Sequence, residues 1–263
     1  MEIPLDDITT IKLLGKGRCG DVFLARSEMF GEVIVKKNLI KGNLFYIITE
    51  LNSPYVIRHF GTCTYPDGEM IVMEYPSNGS LYNYLQKVRE NKIEFKLINR
   101  YQIALDIARG LLLLHSIGIL HRNIKSENVL LDENMKAKIA DFELSVIKTQ
   151  SKLTSRDRND VNGTLLWKAP ETFFMGNTYS EKSDIYSLGV VFWEIASCEI
   201  PYRGFDSEEI RDYVISGERL QIPDSCSRDF GVLICECWKH EPTLRPSIGS
   251  IIDKLLEICE NVK

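Results

Sequence analysis

Along the first third of the chain, short runs of β-branched and aromatic residues are punctuated by glycine. "ITTIKLLGKG", "GDVFLARS" and "GEVIVKK" have the make-up of antiparallel strands joined by tight turns. The period changes at "NLFYIITEL", where Leu44, Ile47, Ile48 and Leu51 recur at helical spacing behind Asn43 as N-cap. "YVIRHFGTCTYPDGEMIVMEY" predicts two more strands about a Pro-Asp-Gly turn. From Ser80 onward the period is helical: "SLYNYLQKV" opens on that serine, and the apolar "INRYQIALDIARGLLLLHSIG" closes on Gly118. The Pro, Asn and Gly of "EYPSNGS" suit a hinge between the two halves. The pattern predicts an α+β chain, with a small β-rich N-lobe over about 1–75 and a larger helical C-lobe over about 80–263.

Composition narrows the class without naming a function. The chain has 263 residues, 44% hydrophobic and 26% charged, which suits one globular domain over 1–263. Its formal net charge of −5 gives no reason to expect nucleic acid as a partner. No run approaches the ~18 apolar residues of a membrane span, so direct membrane insertion is not expected. Seven cysteines lack a disulfide-framework spacing, and Cys235 and Cys237 sit in an apolar "LICECW" run that reads as helix packing. These features predict a cytoplasmic protein.

Chemistry enters with "GKGRCGDV". Gly15, Gly17 and Gly20, followed by Val22, allow backbone amides to approach phosphates without Cβ interference. A dinucleotide fold needs this motif to open a helix, whereas here it runs into a strand. Lys36 ends the strand that follows, where an ammonium group can meet a nucleotide's phosphates or simply be solvated. Further on come His121, Arg122, Asn123, Lys125 and Asn128 of "HRNIKSEN", Asp141 of "DFE", and Ala169, Pro170 and Glu171 of "WKAPE". "KSDIYSLGVVFWEI" and "LRPSI" complete the series. In this order and at these spacings, the motifs resemble the protein kinase family over essentially the whole chain. The resemblance implies a two-lobed protein kinase-like fold with an ATP cleft between lobes and a hinge near Met73, Glu74 and Pro76. It also implies Asn128 and Asp141 as metal ligands and an ion pair between Glu171 and Arg245.

Three departures concern catalysis. Asn123 stands where the family has its aspartate base, and an amide cannot accept a proton at neutral pH. Glu143 replaces the glycine of the D-F-G motif and limits the loop's conformations. The helix that supplies a glutamate to Lys36 has Leu44 near that place, and Glu50, its one acid, points away from the apolar stripe. Together they lead us to expect a pseudokinase, not an enzyme, with no catalytic residue, no required cofactor, weak ATP binding and uncertain dependence on Mg²⁺.

Within the kinases, "HRNI", "FELS", "KTQS" and "EIASCEIPYRGFDSEEIRDYV" are similar to the mixed lineage kinase domain-like (MLKL) family. That resemblance implies a partner, the kinase domain of a receptor-interacting protein kinase. It also implies phosphorylation in the segment 144–168, with Thr149, Ser151, Thr154 and Ser155 as candidates among basic residues. Phe205 and Tyr213 are candidates for the docking face. Met1 lies shortly before the glycine turn, leading us to expect a stand-alone poxvirus-type homologue without a four-helix bundle, acting in the host cytoplasm as a decoy against necroptosis. The alternatives are an excised cellular MLKL domain that is phosphorylated to trigger necroptosis, or a weakly active serine/threonine kinase.

Overall fold

The alternation of apolar and polar residues in the first third produces a five-stranded antiparallel sheet: β1 (Ile8–Gly17), β2 (Gly20–Ser27), β3 (Gly31–Lys37), β4 (His59–Tyr65) and β5 (Gly68–Glu74), in the order β1-β2-β3-β5-β4. The computed structural model describes residues 1–17, 20–37, 43–66, 68–148, 165–174 and 179–262. It divides into two compact units, Met1–Ser77 and Asn78–Lys263. In the first unit, register decides which side chains share a face. Gly15 pairs with Val22, Val22 with Lys36, Lys36 with Ile71, and Ile71 with Thr62, so one row crosses all five strands. The next row on that face holds Leu24, Ile34, Met73 and His59. The opposite face gathers Ala25, Val33, Val35, Cys63 and Val72 with Ile3 and Ile8 into a core. The helix α1 (Asn43–Glu50) buries Leu44 and Ile48 and packs against β4.

The second unit is mostly helical. In α2 (Leu81–Arg89) the Ser80 hydroxyl accepts from the Asn83 N–H, satisfying one donor of the first turn. The long α3 (Leu97–Ser116) is buried on most sides and ends just before Gly118, whose φ of +76 a side chain would resist. Two short antiparallel pairs follow, β6 (Ile119–Leu120) with β9 (Val146–Ile147) and β7 (Val129–Leu131) with β8 (Ala137–Ile139). Then come α4 (Glu181–Ser197), α5 (Ser207–Ile215), α6 (Arg228–Cys237) and α7 (Ile248–Glu260). An α+β fold, with its sheet in the N-terminal region and its helices in the C-terminal region, is what the strand and helix periods predict, and it agrees with the kinase-like fold that the motif resemblance implies. Among the described residues no helix is long and apolar enough to cross a membrane.

Two features fix α4 at the centre of this unit. Arg245, only 2% exposed, donates to both oxygens of Glu171 at 2.7 and 2.8 Å and to the carbonyls of Lys182, Lys239 and His240. The expected Glu171–Arg245 pair is therefore present, bidentate and fully hydrogen-bonded, the geometry in which a buried ion pair is tolerated. Gly189 lets α6 approach closely, since a Cβ there would lie 2.8 Å from Cys237 Cβ. Cys237 is buried at this contact and packs as a small apolar side chain. Gly189→Ala is expected to destabilise the fold by about 1–3 kcal/mol through overpacking. Gly249→Ala in α7, where a Cβ meets only Ser247 Oγ at 3.9 Å, should be neutral or slightly stabilising. Urea denaturation of the two variants checks the contrast.

Candidate functional site

The loop after β6 holds the polar residues singled out by sequence, and one carboxylate organises it. Asp184 in α4 is 1% exposed. Its oxygens accept from the backbone N–H of His121 at 3.0 Å and of Arg122 at 2.8 Å, and from the His115 ring at 3.0 Å. Arg122 takes φ +66, a left-handed conformation disfavoured for a side chain, and the Asp184 contacts hold it there. Burial acts to raise the Asp184 pKa, but the bond from His115 and the charges of His115 and His121 prevail and hold it below its usual value. His121 is fully buried, donates from Nε2 to the Ala140 carbonyl at 3.1 Å, and accepts at Nδ1 from the Asn123 N–H at 3.3 Å. Burial lowers its pKa, against the charges of Asp184 and Asp141.

Asn123, Asn128 and Asp141 come together on this loop. The Asn123 amide donates to Asp141 Oδ2 at 3.3 Å. Asn128 donates from Nδ2 to the Asn123 carbonyl at 2.8 Å, and its own carbonyl accepts from the Ala140 N–H at 2.9 Å. The Asn128 side-chain amide and the Asp141 carboxylate carry oxygen donors of the kind Mg²⁺ takes. The side chain at position 123 can therefore hold a hydroxyl or a carboxylate by hydrogen bonding, but it cannot take up a proton. Glu143 is accommodated more easily than its place in the motif suggests. The left-handed residue is Asp141, with φ +68, while Glu143 is not in that region, so a side chain there adds no backbone strain.

In the first unit, the glycine turn is a β-hairpin end, with Gly17 paired to Gly20 and Gly15 to Val22. A Cβ at Gly15 would meet nothing within 4 Å, so packing does not require glycine there. Lys36 shares a sheet face with Val22, Met73 and His59. His59 is buried, donates from Nδ1 to the Ile57 carbonyl at 3.2 Å, and has its pKa lowered to about 4 by burial and by the Lys36 charge. The Glu74 carboxylate accepts from the Arg58 N–H at 2.7 Å. In α1, Leu44 is buried and Glu50 is exposed, as the helical wheel predicts.

Phe205 is 45% exposed, whereas Tyr213 is half-buried, donates to the Arg219 carbonyl at 3.0 Å and meets Phe205 edge-on at 5.5 Å. Thr149, Ser151, Thr154 and Ser155 lie outside the described residues. Asp184 and Glu194 were not among the residues singled out by sequence. A lone acid inside the apolar run of α4 was the available signal, since an unpaired charge is rarely buried.

Residues 8–255 match the family of protein tyrosine and serine/threonine kinases. Among curated relatives, the chain is 33% identical over 264 residues to the probable serine/threonine-protein kinase drkD of Dictyostelium discoideum, covering 95% of this chain and 20% of that protein. It is 34% identical over 267 residues to the dual specificity protein kinase shkC of the same organism, covering 97% and 52%. The serine/threonine/tyrosine-protein kinase HT1 of Arabidopsis thaliana is 34% identical over 218 residues, covering 82% and 54%. The chain thus spans about half or less of the length of these relatives. Relatives named as serine/threonine and dual specificity protein kinases correct the expectation of a non-enzyme built on Asn123, Glu143 and the missing helix glutamate. The physical reason is that phosphoryl transfer draws mainly on positioning and electrostatics, so losing the base lowers a rate without removing the other contributions.

Because Asp184 is held below the carboxylate range, the stability it contributes at neutral pH is lost as pH falls through its folded value. Asp184→Asn replaces an acceptor oxygen with an NH₂ that faces N–H donors. It should cost about 3–5 kcal/mol at neutral pH and flatten the acid side of the stability profile. Urea denaturation across the acid range measures both effects.

Proposed function

This chain belongs to the protein tyrosine and serine/threonine kinase family, and we propose that it is a protein kinase domain of the serine/threonine type with low turnover. The observation that carries this reading is the catalytic loop, fixed by Asp184, on which Asn123, Asn128 and Asp141 are hydrogen-bonded into one group. Asp141 and Asn128 would hold a divalent cation, which neutralises charge on the phosphates when bound. In the first unit, the open backbone at Gly15 and the ammonium of Lys36 suit the phosphates of ATP, with Met73 and Glu74 at the end of β5 for the base. Lys125 in "HRNIK" is the serine/threonine mark. Asn123 orients the acceptor hydroxyl by hydrogen bonding, and that proton leaves to water or to the phosphate itself.

Transfer of labelled γ-phosphate to protein substrate is expected to be slow. Asn123→Asp should raise it by roughly 10²–10⁴, the usual contribution of a general base, and Asp141→Ala should remove it. Absence of transfer in both the wild type and Asn123→Asp would sink the reading.

A second reading is favoured by the exposed Phe205 in the stretch that resembles MLKL. The domain would dock on the kinase domain of a receptor-interacting protein kinase in the cytoplasm, with Phe205 as an aromatic anchor, and compete with cellular MLKL for it. Titration calorimetry should then give one-to-one binding that Phe205→Ala weakens by more than tenfold. Unchanged affinity in that variant would remove Phe205 from the interface.

A further inference from the structure

Glu194 in α4 is 1% exposed, and the proposed transfer makes no use of it. Its two oxygens each receive a donor, from segments far apart in the chain. Ser126 Oγ donates to Oε1 at 2.6 Å and Trp167 Nε1 donates to Oε2 at 2.7 Å. Ser126 opens the 3₁₀ turn Ser126–Asn128, so it shares a turn with the residue that holds the Asn123 carbonyl. Trp167 ends the 3₁₀ turn Leu165–Trp167, which follows the Ser- and Thr-bearing stretch in sequence. Both donors are buried, and an indole N–H has no alternative to donating. The Trp167 carbonyl is pinned separately by Ser187 Oγ at 2.8 Å, and the Lys125 ammonium lies 6.0 Å from the indole centre.

We propose that Glu194 is a positioning residue that couples the catalytic loop to the segment carrying Trp167, so that displacement of Trp167 is felt at Ser126 and through it at the turn of Asn128. The coupling follows from one carboxyl group shared by two donors. Withdrawal of Trp167 would leave a buried carboxylate with a single donor, a costly state that is relieved by taking a proton from solvent. The new O–H must then donate, and Ser126 is the partner at hand. Its hydroxyl reverses from donor to acceptor, which changes the bonding of the loop turn. Even with both donors in place the surroundings disfavour the ionised form, so loss of the Trp167 bond tips the group further toward protonation. Burial pushes Glu194 up to about 8, against the bonds from Ser126 and Trp167, with Glu127 acting to raise it further and Arg89 to lower it. Glu127 is itself pushed up by burial, opposed by the charge of Lys125.

For phosphoryl transfer the inference rests on the kinase reading, but its test does not. The chain has three tryptophans, so indole ¹⁵N–¹H spectra are simple, and Trp167→Phe assigns the resonance. In the wild type the Trp167 signal should move with pH around the titration of Glu194. Ser126→Ala, which removes the other donor to Glu194, should move that midpoint to higher pH by removing a bond that favours the ionised form. Glu194→Gln keeps an acceptor for Trp167 and should abolish the pH-dependent movement while the fold is retained. The proposal is overturned if the Trp167 signal keeps its position and pH dependence in Ser126→Ala, or if it still titrates in the same way in Glu194→Gln. Failure of the transfer assay alone would count against the kinase reading and leave these spectra to decide the coupling.

Discussion

The buried carboxylate of Asp184 is the constraint on which the rest of the catalytic loop depends. It draws three donors, two from the backbone at His121 and Arg122 and one from His115, and so fixes where the chain reverses before Asn123. Those bonds help to offset the left-handed conformation of Arg122. His121 then reaches the Ala140 carbonyl, which brings the strand leading to Asp141 alongside the loop. The Asn123 amide, in turn, donates to Asp141.

The same logic recurs through the helical unit. Glu171, Asp184 and Glu194 all sit where water is scarce, and each is matched by donors from segments distant in sequence: Arg245 and Ser183 for the first, the loop backbone for the second, Ser126 and Trp167 for the third. Buried ionic groups add little net stability against apolar replacements, but removing one partner is expensive. The arrangement therefore specifies one geometry for the loop rather than adding strength to the core. A rigid loop of this kind would retain the positioning part of phosphoryl transfer even where an amide stands in place of the proton acceptor.

Much of this was legible in the sequence, and the residues that were not share a physical cause. Strand and helix periods located the sheet, the short α1 with Leu44 and Ile48 buried, the capped start of α2 and the glycine end of α3. Gly15 lies in β1, Lys36 in β3 and Asn128 in the 3₁₀ turn Ser126–Asn128. The roles of Asp184 and Glu194 depend on donors more than sixty residues away by sequence in four of their five bonds, and a local pattern carries no record of such partners. Glu143 misled for a related reason. The motif suggested that the left-handed position would fall on the third residue, whereas the backbone turns at Asp141. The inference from Asn123 to a non-enzyme gave one side chain more weight than the match of residues 8–255 to a kinase family.

The most direct test of the central claim is the rate of γ-phosphoryl transfer by the wild-type chain as a function of pH, followed from neutrality into the carboxylate range. The account predicts a slow, measurable rate without the acid limb of a carboxylate base, because Asn123 has no proton to exchange. No transfer at any pH, or an acid limb that disappears only when a different carboxylate is removed, would contradict it.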